Sequence, residues 1–285
     1  MTSGRALWLA WSWEPVTITG LGLVSTLYAC GVRRVWREAG RGRVVARWQV
    51  WSFATGIIAF VIALLSPLDV LGEQLFAAHM AQHLVLILVA APLIVCGAPL
   101  VPLLWAFDRQ TRHAIGRWWN DATVLQVIAD VLTTPAVAWC LHVAAIWTWH
   151  LPGPYQAALR SEWVHAVEHV SFLGTALLFW WVVLAPSGRR RLGFGMAIAF
   201  VLAAGMQGAM LGAILTFARG VWYPTQSAAV SMWGLTPLED QQLAGVLMWV
   251  PSSFVYLAVA SFLFVEWLRS ERADGAGRRE GWTGY

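Results

Sequence analysis

Two pairs of histidines have the residue type and the spacing to bind a metal ion. His79 and His83 are four positions apart, and so are His165 and His169. On an α-helix, residues four apart lie on one face, about 6 Å apart along the axis. Neutral imidazole is a common metal ligand in proteins, and such a pair can chelate one ion from a single helix. Two pairs on packed helices would supply four nitrogen ligands, so we expect the fold to bring these helices together.

The composition indicates the kind of fold that carries these histidines. Of the 285 residues, 59% are hydrophobic and 12% are charged, and the mean hydropathy is +0.61. A soluble domain carries roughly 25% charged residues. The three cysteines show neither a zinc-site spacing nor a haem-attachment motif. The sequence therefore predicts an all-α fold, a polytopic membrane bundle of about seven transmembrane helices.

Seven apolar segments are long enough to cross the ~30 Å hydrocarbon layer of a bilayer. We place them at 14–32, 49–66, 76–98, 124–150, 163–185, 193–217 and 240–268. Together they form one predicted transmembrane domain, 1–269. The polar residues 270–285 are predicted to be a disordered cytoplasmic tail.

The distribution of arginine predicts the orientation of the bundle. All 19 basic residues are arginine, and sixteen of them fall in the loops after spans 1, 3 and 5 or in the C-terminal tail. Cytoplasmic segments carry the excess of basic residues, so we expect the N-terminus outside and the C-terminus in the cytoplasm. This orientation also explains the net charge of +4, without a nucleic-acid partner. It places every histidine except His113 at or near the outer half of the bundle.

Further polar side chains reach the same level. His150 ends the fourth span, and Met206 and Met210 lie one turn apart in the sixth. Thioether ligands favour copper(I), so histidines near methionines indicate copper. Glu168 can fix the tautomer of an imidazole ligand. Asp240 has two interpretations, a metal-site residue or a carboxylate that only stabilises the start of a helix.

Metal binding has a competing explanation. Buried histidines can form a hydrogen-bonded polar cluster that holds membrane helices together. The sequence contains no HExxH, GxSxG or Walker motif, so we do not expect an enzyme. The glycines between Gly205 and Gly212 are typical of close helix packing.

Several segments, read as strings, resemble one family. They are His79-Met80-Ala81-Gln82-His83-Leu84, Ala91-Pro92-Leu93, Gly97-Ala98-Pro99, His150-Leu151-Pro152-Gly153-Pro154-Tyr155, Glu168-His169-Val170-Ser171-Phe172-Leu173, Leu215-Thr216-Phe217-Ala218 with Tyr223-Pro224, and Asp240-Gln241-Gln242-Leu243-Ala244-Gly245 running to Met248-Trp249. Together they resemble the multi-spanning cytochrome c oxidase assembly factors of the caa3/CtaG type, over about 13–267.

The resemblance implies a multi-pass protein of the bacterial plasma membrane that helps a haem–copper oxidase to mature, at its copper step. The implied partners are oxidase subunits, a soluble copper donor on the outer face and membrane lipid. We therefore predict an assembly factor that binds copper transiently and delivers it to an oxidase subunit. The predicted metal-site residues are His79, His83, His165, His169, His150, Met206, Met210, Glu168 and Asp240.

Two other classes stay open at this point. A b-type cytochrome would hold haem between axial histidines from different helices. A metal-free protein would act as a membrane scaffold for oxidase assembly or as a transporter. The sequence has no internal repeats and no charged mid-span residues, which disfavours transport.

Overall fold

The structure is a computed structural model that describes residues 10–184, 192–223 and 230–280, with side chains as far as Arg272. Across these ranges the regular structure is helical, and no strand is present. Six helices are long and apolar enough to cross a membrane, and a bent pair brings the number to seven. The predicted fold class, an all-α membrane bundle of about seven spans, is confirmed. The side of the membrane on which each terminus lies stays a prediction.

The described residues form thirteen α-helices, numbered here in chain order. They are α1 (Pro15–Ala39), α2 (Arg47–Leu64), α3 (Pro67–Gly72), α4 (Phe76–Val85), α5 (Ala91–Cys96), α6 (Leu100–Trp105), α7 (Arg109–Asp121), α8 (Thr123–Leu132), α9 (Pro135–Trp149), α10 (Pro152–Arg160), α11 (Glu162–Leu184), α12 (Phe194–Thr216) and α13 (Pro237–Glu280). A π-helical turn, Leu86–Ala90, joins α4 and α5 into one span.

The predicted fourth span, 124–150, is two helices instead of one. α8 and α9 meet at an angle of 70°. Pro135 begins α9 and disfavours helical geometry in the residue before it. The hydroxyl groups of Thr133 and Thr134 donate hydrogen bonds back to the carbonyls of Ala129 and Asp130, at 2.7 and 3.0 Å. α8 buries no residue, so α9 alone brings this segment into the core.

The last helix begins where the sequence predicts. The Thr236 amide donates to Glu239 Oε2 at 2.8 Å, and the Glu239 amide donates to Thr236 Oγ1 at 3.2 Å. These two bonds form the capping box that the sequence pattern indicates. The helix then continues to Glu280, past the boundary that we placed at Arg269. Residues 281–285 lie outside the described ranges, and a disordered tail stays a prediction.

α12 and α13 pack together at backbone distance through glycines. A Cβ atom added to Gly245 would lie 2.5 Å from the amide nitrogen of Thr216 and 2.6 Å from the carbonyl oxygen of Gly212. On Gly205, an added Cβ would lie 3.1 Å from the side chain of Tyr256. The predicted role in close helix packing holds for Gly205 and Gly212, whereas a Cβ on Gly208 would meet open space. The two helices therefore form a rigid wall on one side of the bundle.

The π turn lies directly after His83. The amide of Ala91 donates to the carbonyl of Leu86, five residues back. Pro92 has no amide hydrogen, and its ring crowds the preceding turn, which favours the wider helix here. The indole of Trp180 in α11 donates to the carbonyl of Ile87 at 2.8 Å. This bond fixes α11 against the span that carries His79 and His83.

Asp240 holds the start of α4. Its Oδ2 accepts a hydrogen bond from the Phe76 amide at 2.7 Å, and its Oδ1 accepts one from the Ala77 amide at 3.0 Å. The carboxylate is 1% exposed and lies in the first turn of α13. Because the N-terminus of a helix is partly positive, one carboxylate stabilises the beginnings of two helices. Asp240 thereby sets the position of His79, one turn further along α4.

Different polar contacts are found at the two ends of the bundle. At the end that carries His79 and His150, the Ser12 hydroxyl donates to Asp69, and the Tyr223 hydroxyl donates to the His150 carbonyl at 2.6 Å. We call this the histidine end. The opposite, arginine end includes Arg34, whose guanidinium donates to the Phe107 carbonyl. This separation agrees with the sorting of the arginines into alternate loops.

We expect the substitution Asp240→Asn to destabilise the protein by about 1–3 kcal/mol. Asparagine has one acceptor oxygen, so one of the two α4 amides loses its partner, and the negative charge at both helix N-termini is lost. Thermal unfolding of the detergent-purified protein, followed by circular dichroism, measures the change. The neighbouring Glu239→Gln is the matched control, since glutamine keeps an acceptor for the exposed capping box. Equal stability of the Asp240→Asn and control proteins would contradict the capping role.

Candidate metal centre

The four histidines of the two pairs meet in space. Within α4 the ring centroids of His79 and His83 are 4.3 Å apart, and within α11 those of His165 and His169 are 4.2 Å apart. Between the helices, His79 lies 5.3 Å from His165 and 6.4 Å from His169, and His83 lies 5.2 Å from His169. We call these four residues the four-histidine cluster. Each pair lies on one helical face because its spacing is four residues.

A carboxylate lies between the two pairs. Glu168 Oε2 is 3.7 Å from His79 Nε2, and Glu168 Oε1 is 3.9 Å from His83 Nε2. Glu168 is 1% exposed. Ligand atoms of His79, His83 and Glu168 lie within 4.8 Å of one another. One cation placed between them could contact all three side chains.

Six buried polar atoms of the four histidines and Glu168 have no hydrogen-bond partner among the described residues. They are His79 Nε2, His83 Nδ1, His83 Nε2, His165 Nε2, His169 Nε2 and Glu168 Oε2. A buried polar atom without a partner costs about 1–3 kcal/mol, and such atoms call for an explanation such as an ion. Imidazole nitrogen with carboxylate oxygen suits copper, zinc, iron or nickel. The side chains present therefore fit a metal ion.

The centre is closed on the side of the bundle core and open toward the histidine end. His79 and His83 are 2% and 3% exposed, and the rings of Tyr155 and Phe172 pack against them at 5.4 and 4.6 Å. His165 and His169 are half-buried. An ion could therefore enter past the α11 histidines and reach the α4 pair behind them.

Carboxylates surround this opening. One recess of about 460 Å³ is lined by Glu73, Glu162, His79 and His165 together with Arg160. A second, of about 280 Å³, is lined by acidic side chains with His165 and His169. We call its four carboxylates the acidic mouth: Glu14, Asp69, Glu73 and Glu162. They give the entrance to the cluster a negative charge that exceeds the one charge of Arg160.

The pKa of Glu73 reflects the negative charge of the acidic mouth. Partial burial raises the pKa of its carboxyl group, and the negative charges of Asp69 and Glu162 raise it further. Asp69 is held in place by Gln82, whose side-chain amide donates to it at 2.8 Å. The like charges are thus held close together at the entrance, an arrangement that a bound cation would stabilise.

His150 does not join the four-histidine cluster. Its Nδ1 lies 2.6 Å from the carbonyl oxygen of Ile146, and its Nε2 lies 3.1 Å from the sulfur of Met80. Met80 is absent from the predicted metal-site residues, although it follows His79 in the sequence. The signal that could have identified it is its place between two histidines on one helix.

Met206, Met210 and Asp240, which we predicted as metal-site residues, also lie apart from the four-histidine cluster. Met206 and Met210 are 72% and 53% exposed, because they lie on the face of α12 that points away from α13. Asp240 uses both carboxylate oxygens to cap α4, so of its two interpretations the structure favours the helix-start role. It positions the cluster from a distance and does not contact it.

The comparisons with known proteins agree with this architecture. The family pattern described as cytochrome c oxidase caa3 assembly factor matches residues 26–270. Proteins described as uncharacterised are similar in Mycobacterium bovis and Mycobacterium tuberculosis, each 26% identical over 86% of this chain, and in Mycobacterium leprae, 24% identical over 86%. The chain spans 37% of the length of these relatives. No solved structure is significantly similar. Because the family match covers most of its length, the chain belongs to the cytochrome c oxidase caa3 assembly factor family.

Proposed function

We propose that the protein binds a copper ion at the four-histidine cluster and passes it to a subunit of the oxidase that it helps to assemble. One observation carries this proposal. Two helices bring four imidazoles together, ligand atoms of His79, His83 and Glu168 lie within 4.8 Å of one another, and each of these three side chains has a buried polar atom without a hydrogen-bond partner among the described residues. A metal ion is the ligand that would satisfy several lone pairs at one point.

The identity of the ion rests on the family. Imidazole and carboxylate ligands also suit zinc and iron. A cytochrome c oxidase of the haem–copper type contains copper, and its assembly factors include the family to which this chain belongs. Copper is therefore the cargo that connects the site with the assembly role.

The haem alternative fits the geometry less well. A haem plane would need an open slot between its two axial histidines. Here Glu168 lies between the pairs, with oxygens 3.7 and 3.9 Å from His79 and His83. Tyr155 and Phe172 close the inner side. A visible spectrum of the purified protein without a Soret band would agree with this.

The exposure of the histidines fits transient binding. A structural metal site is closed around its ion, whereas an ion that is to be passed on needs an open side. The half-buried His165 and His169 provide this side, and the acidic mouth faces it. A soluble copper donor and the oxidase subunit would both approach here, so loading and delivery would use one opening.

We expect the combined substitution of His79, His83, His165 and His169 by alanine to lower copper affinity on the order of 100-fold or more, since all four imidazole ligands are removed. Copper titration of the detergent-purified protein, with a competing chelator, measures this. His113→Ala, on the exposed helix α7, is the matched control and should bind copper like the parent.

Binding and delivery are tested separately. The same variants are expressed in cells that depend on the protein for their oxidase, and the copper content of the purified oxidase is measured. A quadruple variant that still binds copper contradicts the proposed site. One that binds none, yet still yields copper-loaded oxidase, contradicts delivery and favours the metal-free scaffold.

The acidic mouth should speed copper loading. We expect Glu73→Gln combined with Glu162→Gln to slow binding about tenfold at low salt, while affinity changes little, because negative charge steers a cation toward the cluster. Stopped-flow mixing with copper at several salt concentrations measures the rate. Glu38→Gln, at the arginine end, removes one carboxylate charge where no effect is expected.

The pH dependence of loading has a predicted direction. Because the pKa of Glu73 is raised, this group takes up a proton at a higher pH than an ordinary glutamate as the solution is acidified. The mouth then loses negative charge, so the loading rate should begin to fall at that higher pH. In the doubly substituted protein this part of the pH dependence should disappear. An unchanged rate and pH profile would contradict the steering role.

A further inference from the structure

A small cavity lies behind the four-histidine cluster, between α4, α9, α12 and α13. Its volume is about 40 Å³, which is room for one ion or one water molecule. The side chains of Met80, His83, His150 and Met248 line it together with apolar residues. Two thioethers and two imidazoles therefore surround a space of atomic size inside the bundle.

The hydrogen bond of His150 determines where its proton lies. Its Nδ1 is 2.6 Å from the Ile146 carbonyl oxygen, and a carbonyl only accepts hydrogen bonds. The proton of the neutral ring must therefore be on Nδ1, which leaves a bare lone pair on Nε2.

The lone pair on His150 Nε2 points at a group that cannot donate to it. The Met80 sulfur lies 3.1 Å away, and a thioether carries no hydrogen. Both residues are buried, with exposures of 7% and 2%. Adding a second proton to His150 would place a cation in an apolar interior, which is costly. Two electron-pair donors thus face each other at the edge of the cavity, and a cation could bind between them once the flexible thioether moves back by about 1 Å.

We propose that His150 Nε2 and Met80 Sδ form a second metal site, completed by Met248, that takes a soft monovalent cation such as copper(I). Nitrogen and thioether sulfur are the ligands that such an ion prefers, whereas zinc and other harder ions favour the nitrogen and oxygen of the four-histidine cluster. The site uses none of the cluster's four histidines as ligands. It goes beyond the proposed function and holds even where that cluster binds nothing.

The arrangement of α4 explains how the two sites remain separate. Met80 lies between His79 and His83 in the sequence, and its side chain points toward α9 instead of α11. The side-chain amide of Gln207 in α12 also lines the cavity. It accepts a hydrogen bond from the Trp147 indole at 2.8 Å and donates one to the Ala204 carbonyl at 3.1 Å. With Gln207 paired, the His150 imidazole and the two sulfurs remain as electron-pair donors toward the cavity, which His83, Ser252 and Tyr256 also line.

X-ray absorption at the copper edge tests this site, with the full-length protein in detergent loaded with copper(I) without oxygen. We expect a sulfur shell in the parent, a weaker one in Met80→Leu, a substitution that nearly conserves volume, and its loss when Met248→Leu is added. Silver(I), a soft ion of fixed oxidation state, is titrated in parallel, and Met80→Leu should weaken its tightest binding about tenfold or more. Met206→Leu, an exposed methionine on α12, is the matched control and should change neither result.

Each outcome decides the proposal. A parent without a sulfur shell, an unchanged shell in Met80→Leu, a shell that persists in the variant with both substitutions, or a shell that is lost in the Met206→Leu control would overturn it. Failure of the proposed function gives a different result. In that case the His79→Ala, His165→Ala, His169→Ala triple variant binds as many copper ions as the parent, while the effect of Met80→Leu remains.

Discussion

Buried polar groups in an apolar bundle are the constraint on which the rest of this structure depends. An imidazole or carboxylate removed from water costs free energy unless it finds a partner, and the lipid around the helices supplies none. Several buried polar groups find a hydrogen-bond partner within the protein. Gln82 donates to Asp69, Trp147 to Gln207, and Tyr223 to the His150 carbonyl. Six of the buried atoms without a partner among the described residues belong to the four-histidine cluster and Glu168, and they mark the metal site that we propose in this multi-pass protein of the bacterial plasma membrane.

The scaffold holds these unsatisfied atoms together through contacts that are themselves satisfied. Asp240 anchors the start of α4 from α13, and the Trp180 indole fixes α11 to the π turn. The glycines of α12 and α13 let their backbones touch, so the anchor is rigid. Because the hydrogen bonds of Asp240 and Trp180 hold α4 and α11 in place, the imidazoles of the four-histidine cluster stay close together.

The sequence predicts much of this arrangement because the determinants are local. Spacing of four places each histidine pair on one face, and the Thr236 to Glu239 pattern marks the start of α13. The break before Pro135 has a local signal too, two threonines followed by a proline, which a count of apolar residues does not detect. These features need only the residues next to them.

The remaining features depend on contacts between distant parts of the chain. Asp240 caps amides more than 160 residues away, so its neighbours in the sequence show only that a helix begins there. Met206 and Met210 have the right spacing for ligands, but the glycine contact with α13 turns their face outward. Met80 is the opposite case, since its partner His150 comes from another helix. Which face of a membrane helix points inward is decided by packing, and periodicity alone leaves it open where every face is apolar.

The π turn at Leu86–Ala90 changes the phase of the span that contains it. A π turn holds one residue more than the α-helical turn it replaces, so α5 is rotated by about 100° from the course that α4 would have continued. α4 can therefore direct its imidazoles at α11 while α5 packs against both α2 and α11. In an uninterrupted helix one rotation would have to serve both purposes. Because of the inserted residue, the direction of the α4 imidazoles and the packing of α5 in the bundle are set independently.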